Sequence, residues 1–286
     1  MFQPTLLDNR VILITGGGTG LGLSMARAMA GYGARIVISS RKREVLEASA
    51  EALASEGLNI GFRVCDVRNS DQVAEMIASV VEEYGQLDGL INNAAGNFIS
   101  PTQLLSPKGF DVVVDIVLRG TFYCTHAAGR YWLENRLPGV VLNISTTYAD
   151  SGSGFVVPSA CAKAGVNALT RSLAAEWGGN GIRVNAIAPG PIPTKGAFSR
   201  LLPDESWEQV MKNRIPGGTF GTHEDLTNLA VFLMSPLSRF INGEVIRLDG
   251  GEQLNGAGQF NPLRAIPEDQ WPELARKMRQ GGGSRS

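Results

Sequence analysis

The stretch Arg10–Gly22, RVILITGGGTGLG, decides how the rest of the chain is read. Arg10–Thr15 is a short apolar run, as expected of a strand buried on both faces. The glycine-rich Thr15–Gly22 follows at once, and Leu21–Tyr32 carries the apolar spacing of a helix. A strand, a glycine turn and a helix in that order leave unpaired N–H groups at the helix N-terminus, where an anion can be held. The spacing is Gly16-x-x-x-Gly20-x-Gly22 rather than the commoner G-x-G-x-x-G, and an ordinary glycine turn is the alternative reading. Position between strand and helix favours a pyrophosphate cradle made of Gly16, Gly17, Gly18, Thr19, Gly20, Leu21 and Gly22.

Outward from this unit the pattern repeats. Arg35–Ser39, Gly61–Cys65, Gly89–Ile91, Val140–Ile144, Ile182–Ile187 and Val245–Leu248 read as further strands. Arg43–Glu56, Asp71–Tyr84, Phe110–Glu134, Ser159–Trp177 and His223–Met234 read as helices between them. Apolar strands alternating with helical crossovers predict an α/β fold: a doubly wound, seven-stranded parallel sheet with helices on both faces, in a single domain over 1–251. Two segments fall outside the alternation. Residues 188–212 open with the turn-rich APGPIPTKGAF, and 252–286 form an extension with a short helix expected at Pro267–Arg279 and a flexible GGGSRS end.

Composition narrows the partners. The 286 residues hold 26 Lys and Arg against 27 Asp and Glu, a formal net charge of -1, so nothing global recruits nucleic acid or an anionic membrane. Any anionic ligand must then be held by local basic groups. Cys65, Cys124 and Cys161 lie far apart without a Cys-x-x-Cys pair, and two histidines cannot supply metal-ligand spacing, so no metal site is expected. No apolar run reaches membrane-spanning length, and no signal segment precedes the first strand, so a cytoplasmic protein is expected.

The end of the second strand reports on the dinucleotide. A carboxylate there would hold a ribose 2′-hydroxyl, but this chain has Ser39-Ser40-Arg41-Lys42-Arg43. Arg41, nearest the strand end, can pair with a 2′-phosphate, which predicts NADPH; a solvated basic helix start is the alternative. Asp66, after the third strand, is placed either to accept from an adenine amino group or to charge a helix N-terminus. Ser159 stands one helical turn before Lys163 in VVPSACAKAG. That pair alone reads as a surface pair, as a nucleophile with its base, or as part of a cofactor cradle.

The glycine turn, Asn92-Asn93-Ala94-Ala95-Gly96 after the fourth strand, Lys163 in the helix after the fifth, and Pro189-Gly190-Pro191 after the sixth together resemble the short-chain dehydrogenase/reductase family. The resemblance runs from Arg10 to Gly251. It implies the Rossmann fold, with Lys163 on the nicotinamide ribose, Pro189, Gly190, Pro191 and Ile192 along the cofactor, and a homotetramer built through the helices of 110–134 and 159–177. Three positions depart from the family pattern. Ser159 replaces the tyrosine four residues before Lys163, Val117 replaces an asparagine, and Thr146 replaces a serine. A serine hydroxyl is far too weak an acid to stand in for a phenol.

Another acid is available. NNAAGNFISPT (Asn92–Thr102), TTYADSGSGFVVPSACAKAGV (Thr146–Val166) and PGPIPTKGAFSRL (Pro189–Leu201) are similar to the 2,4-dienoyl-CoA reductases of mitochondrial type and their bacterial relatives. That likeness implies Tyr148 and Asn97 as catalytic donors, with Ser159 and Lys163 completing the site. Its substrate would be an acyl-CoA thioester, met by Arg68, Arg200, Phe98 and Ser159. From the residues alone, Tyr148 also reads as a packed loop aromatic, Asn97 as a turn residue, Ser159 as a helix cap, and the arginines as solvated surface charge. Reduction of another thioester, such as a 3-oxoacyl or enoyl compound, is the nearest alternative activity. A non-catalytic NADPH-binding sensor is the alternative of another class.

Overall fold

A computed structural model of the chain describes residues 2–58, 60–194, 206–258, 260–274 and 276. The described residues form one sheet of seven strands: Val11–Thr15 (β1), Arg35–Ser40 (β2), Ile60–Val64 (β3), Gly89–Asn92 (β4), Gly139–Ile144 (β5), Ile182–Pro189 (β6) and Val245–Leu248 (β7). Their order is β3-β2-β1-β4-β5-β6-β7 and every pairing is parallel. The order reverses direction between β1 and β4, so a crevice opens outside their carboxyl ends, the place where doubly wound sheets bind ligands.

Strand β1 shows why the sheet must be covered twice. All five of its residues are buried. Ile12 and Ile14 join a core with Met25 and Met29 of helix α1 (Gly20–Gly31), Leu46 and Leu53 of α2 (Arg43–Ser55), and Leu226 and Val231 of α9 (His223–Met234). Val11 and Leu13 join the opposite core, with Val73 and Val80 of α3 (Ser70–Tyr84), Trp132 of α5 (Gly120–Asn135), and Leu173 and Trp177 of α7 (Val157–Trp177). Alternate side chains of one strand therefore feed two cores. Each such burial contributes about 1.5–3 kcal/mol before conformational entropy is set against it.

The helix expected at Phe110–Glu134 is longer and interrupted. Ser106 accepts from the Gly109 N–H as an N-cap and Pro107 takes the first turn, so α4 spans Pro107–Val114. A π-helical turn at Asp115–Arg119 then leads into α5. Thr121 Oγ1 returns to the Val117 carbonyl at 2.6 Å, satisfying an acceptor at the wide turn. Such π-bulges collect at functional sites. Residues 206–214 are also helical, as Ser206–Arg214 (α8), where a turn-rich segment was expected. The extension begins with Glu252–Ala257 (α10), and its expected helix is a 3-10 turn at Glu268–Gln270 continued by helical residues 271–274. The GGGSRS end lies outside the described residues. Among the described residues no helix is long and apolar enough to cross a membrane.

Candidate active site

The glycine turn is shaped for close approach. Gly16 has φ +64°, and a Cβ there would lie 2.9 Å from Ala94 Cα; Gly22 is tighter still, its Cβ meeting the Gly16 carbonyl oxygen at 2.4 Å. Asn93 Nδ2 donates to the Thr15 and Gly16 carbonyls at 3.1 and 3.0 Å, and Thr15 Oγ1 accepts from the Asn93 and Ala94 N–H groups at 3.1 Å. The Asn92-Asn93-Ala94 loop is thus a brace for the phosphate turn, a role the sequence reading had not assigned to Asn93. At the start of α1, Thr19 makes no side-chain cap and the first turn holds no acid, leaving its N–H groups to a ligand. Thr194 Cγ2 would lie 3.7 Å from a Cβ on Gly20, so the loop after β6 approaches the same turn. Within that loop Ile192 is buried, and Gly190 approaches the turn just after β7 so closely that a Cβ would sit 2.8 Å from Asp249 Cα. These residues fit a dinucleotide.

Arg41 is exposed just past β2, and its charge helps hold the Asp66 carboxyl below its usual range. The main cause of that lowering is Arg68. Its Nε lies 3.0 Å from both Asp66 carboxylate oxygens and its Nη2 2.5 Å from Oδ2. The expected adenine acceptor and the expected CoA contact thus bind each other here. Exposed ion pairs of this kind contribute only about 0–1 kcal/mol, so a ligand can separate them. Phe98 stands 39% exposed beside Asn97, whereas Arg200 lies outside the described residues.

The sheet and α7 bring the remaining candidates together. Tyr148 opens the four-residue helix α6 (Tyr148–Ser151) just beyond β5, and its hydroxyl lies 3.1 Å from Ser159 Oγ. Asn97 Nδ2 donates to the same hydroxyl at 3.4 Å, while its Oδ1 accepts from the Phe98 N–H at 2.9 Å. That second bond fixes which end of the amide faces Tyr148. Asn97 thus bonds its local backbone, as a turn residue does, and still presents an N–H donor. The helix α7 starts at Val157 with Val156 as an uncapped N-cap, so Ser159 is no helix cap; its hydroxyl is directed to Tyr148 instead.

One turn deeper, the side chain of Lys163 is buried and its Nζ donates to the Ile144 carbonyl. Burial lowers its pKa from 10.5 to about 8. Val117 is fully buried among Val113, Ala162 and Val166, an apolar contact between α4 and α7. The pair of donors, Asn97 and Tyr148, is close enough to aim both groups at a single developing oxyanion.

This fold, with its glycine turn and its lysine on α7, defines a class: the chain belongs to the short-chain dehydrogenase/reductase family. The family profile described as enoyl-(acyl carrier protein) reductase matches residues 16–253. Membership makes the chain an oxidoreductase with a nicotinamide-cofactor site. Among individual relatives, the "probable 2,4-dienoyl-CoA reductase", (2E)-enoyl-CoA-producing, of Bacillus subtilis (strain 168) is 44% identical over 251 residues, 87% of this chain and 98% of that one. The "probable 2,4-dienoyl-CoA reductase 3", (3E)-enoyl-CoA-producing, of Caenorhabditis elegans is 40% identical over 280 residues, 96% and 90% of the two chains. A solved gluconate 5-dehydrogenase from Burkholderia cenocepacia J2315, in complex with NADP and tartrate, superposes with a TM-score of 0.83 at 31% identity, covering 88% and 98% of the chains.

Proposed function

We propose that this protein is an NADPH-dependent 2,4-dienoyl-CoA reductase serving the degradation of unsaturated fatty acids. The observation that carries the reading is the hydrogen-bonded set Asn97–Tyr148–Ser159, which provides a phenol although the position four residues before Lys163 holds no tyrosine. The names of the Bacillus and Caenorhabditis relatives support the same substrate class.

When bound, NADPH supplies a hydride to the delta carbon of the conjugated thioester. Negative charge then spreads through a dienolate to the thioester oxygen, and the residues of this chain act on that oxygen. Tyr148 O–H and Asn97 Nδ2–H donate to it, stabilising charge that is absent in the ground state. Ser159, bonded to Tyr148, holds the phenol in place and can accept its hydrogen bond when the site is empty. Proton return at the alpha carbon, from Tyr148 or an ordered water, gives a 3-enoyl-CoA. Return at the gamma carbon would give the 2-enoyl product named for the Bacillus relative.

Lys163 would hold the nicotinamide ribose, with Pro189, Gly190, Pro191 and Ile192 along the cofactor and Gly16–Gly22 on its pyrophosphate. Arg41 would take the 2′-phosphate and Asp66 the adenine amino group. Arg68, Arg200, Phe98 and Ser159 would meet the acyl-CoA. A homotetramer through α4–α5 and α7 is part of the proposal, and α7 presents Cys161, Ala164 and Ala168 to solvent as small contact residues. The test is NADPH oxidation with a 2,4-dienoyl-CoA and identification of the product. Reduction of a simple enoyl thioester, favoured by the description of the matching family profile, is the second reading and is tested by repeating the assay with a 2-enoyl-CoA.

A further inference from the structure

The turn that carries Tyr148 is only four residues long, too short to be stable through its own hydrogen bonds. Its anchoring comes from distant parts of the chain. Asp150 Oδ1 accepts from Asn167 Nδ2 on α7 at 3.2 Å, and Asp150 Oδ2 accepts from Arg247 Nη2 on β7 at 3.0 Å. Asn167 accepts in turn from Ser145 Oγ, just past β5, at 2.6 Å. On the other side of Tyr148, the Thr147 carbonyl accepts from Gln253 Nε2 on α10 at 3.4 Å. Gln253 Oε1 is buried without a hydrogen-bond partner among the described residues. A buried amide left half satisfied is a cost, so filling space does not account for glutamine there.

The same segment grips a second element. Asn255 Nδ2 donates to the carbonyl of Arg214, the last residue of α8, at 2.8 Å, and Glu252 pairs with Arg214 Nε at 3.4 Å. Asp249 stiffens the segment from within, accepting from the Gly251 and Gln253 N–H groups at 2.9 and 3.0 Å.

We infer that residues 247–255 form a positioning clamp, in which Arg247 and Gln253 fix the Tyr148 turn from both sides and Glu252 and Asn255 couple it to α8. The inference rests on the reading of Tyr148 as a donor to the substrate oxygen. Asp150 receives the Arg247 arm of the clamp and the Thr147 carbonyl the Gln253 arm. With side chains 48% and 32% exposed, the Arg247–Asp150 pair adds little to global stability. Its effect falls on geometry, where a displacement of about one ångström costs on the order of a hundredfold in rate. The extension beginning at Glu252 thereby gains a role in catalysis without touching substrate.

The test uses the full chain with Arg247→Ala, Gln253→Ala, the double variant, and Arg247→Lys as the conservative control. Steady-state kinetics on dienoyl-CoA, NADPH affinity, thermal midpoint and amide hydrogen exchange over residues 146–152 are read together. In the double variant kcat is expected to fall about tenfold or more, with NADPH affinity within about twofold, and exchange at 146–152 to quicken about tenfold. Arg247→Lys is expected to keep most of the turnover and exchange protection that Arg247→Ala loses. Unchanged exchange at 146–152 in the double variant overturns the clamp. So does quickened exchange that appears only with a lowered thermal midpoint, because that marks a general structural role. If the parent protein fails to reduce dienoyl-CoA, the proposed activity falls while the exchange measurement still decides the clamp.

Discussion

The phenol oxygen of Tyr148 lies 3.1 Å from Oγ of Ser159, and Ser159 stands one helical turn before the buried Lys163. Position 159 on α7 holds no phenol; Tyr148 brings one beside Ser159 from the turn after β5. In the proposed reading Tyr148 is the donor, on another element than α7, while Lys163 keeps its place on that helix. Such a move suits a reaction whose charge appears on a remote thioester oxygen rather than beside the hydride acceptor.

Removing a donor tests this directly. Tyr148→Phe and Asn97→Ala are each expected to lower kcat by about 10²–10³, equivalent to roughly 2.7–4 kcal/mol of transition-state stabilisation. NADPH affinity should stay within about twofold in both, measured by fluorescence titration. Because the two groups share one oxygen, the double variant should lose less than the product of the single losses.

The proposed preference for NADPH rests on Arg41. Arg41→Ala should weaken NADPH binding about tenfold and leave NADH binding unchanged, since only the phosphorylated ribose carries the charge that Arg41 pairs with. Isothermal titration with both dinucleotides gives the ratio. Equal weakening of the two would place Arg41 elsewhere than at the 2′-phosphate.

Gly22→Ala addresses the phosphate turn. The added Cβ would meet the Gly16 oxygen at 2.4 Å and Asn93 Nδ2 at 2.6 Å, both held by the brace between the first and fourth strands. Neither is the free end of a flexible side chain. Loss of dinucleotide binding and a destabilisation of about 1–3 kcal/mol are expected, read by titration and by urea midpoint.

Lys163 makes stability depend on pH. Its folded value of about 8 lies below the 10.5 of an exposed lysine. Between those values the unfolded chain binds more protons than the folded one, so its contribution rises with pH across that window. Below about 8 the ammonium is charged and buried, and the full cost is present. Lys163→Met should therefore flatten the urea-midpoint profile between about pH 8 and 10, with a difference of up to about 3 kcal/mol in cofactor-free protein.

The sheet was legible because its strands are apolar on both faces and separated by helices of ordinary length. Each of the seven was expected within a residue or two, from Arg10–Thr15 against Val11–Thr15 to Val245–Leu248, whose observed bounds are the same. Helix interiors were equally clear; their junctions were not. At the π-turn Asp115–Arg119, Val117 packs against α7, and periodicity within one helix carries no sign of such a contact. Tyr148, Asn97 and Ser159 were singled out through motif resemblance, and the fold brings all three side chains together. Arg68 and Asp66, two residues apart and assigned to different ligands, form an ion pair with each other. Asp150, Arg247 and Gln253 carried no local signal at all. They are ordinary polar residues whose bonds span 97 and 106 positions of the chain, and only the sheet order, with β7 one strand beyond β6, brings them within reach of the loop after β5.

The most direct test is NADPH oxidation by the purified protein with a trans-2,trans-4-dienoyl-CoA and, separately, with a 3-oxoacyl-CoA, followed by identification of the product. Fast turnover of the dienoyl thioester alone, yielding a 3-enoyl-CoA and abolished by Tyr148→Phe, is the predicted result. Turnover of the 3-oxoacyl compound alone, or of neither while NADPH still binds, would contradict the proposal.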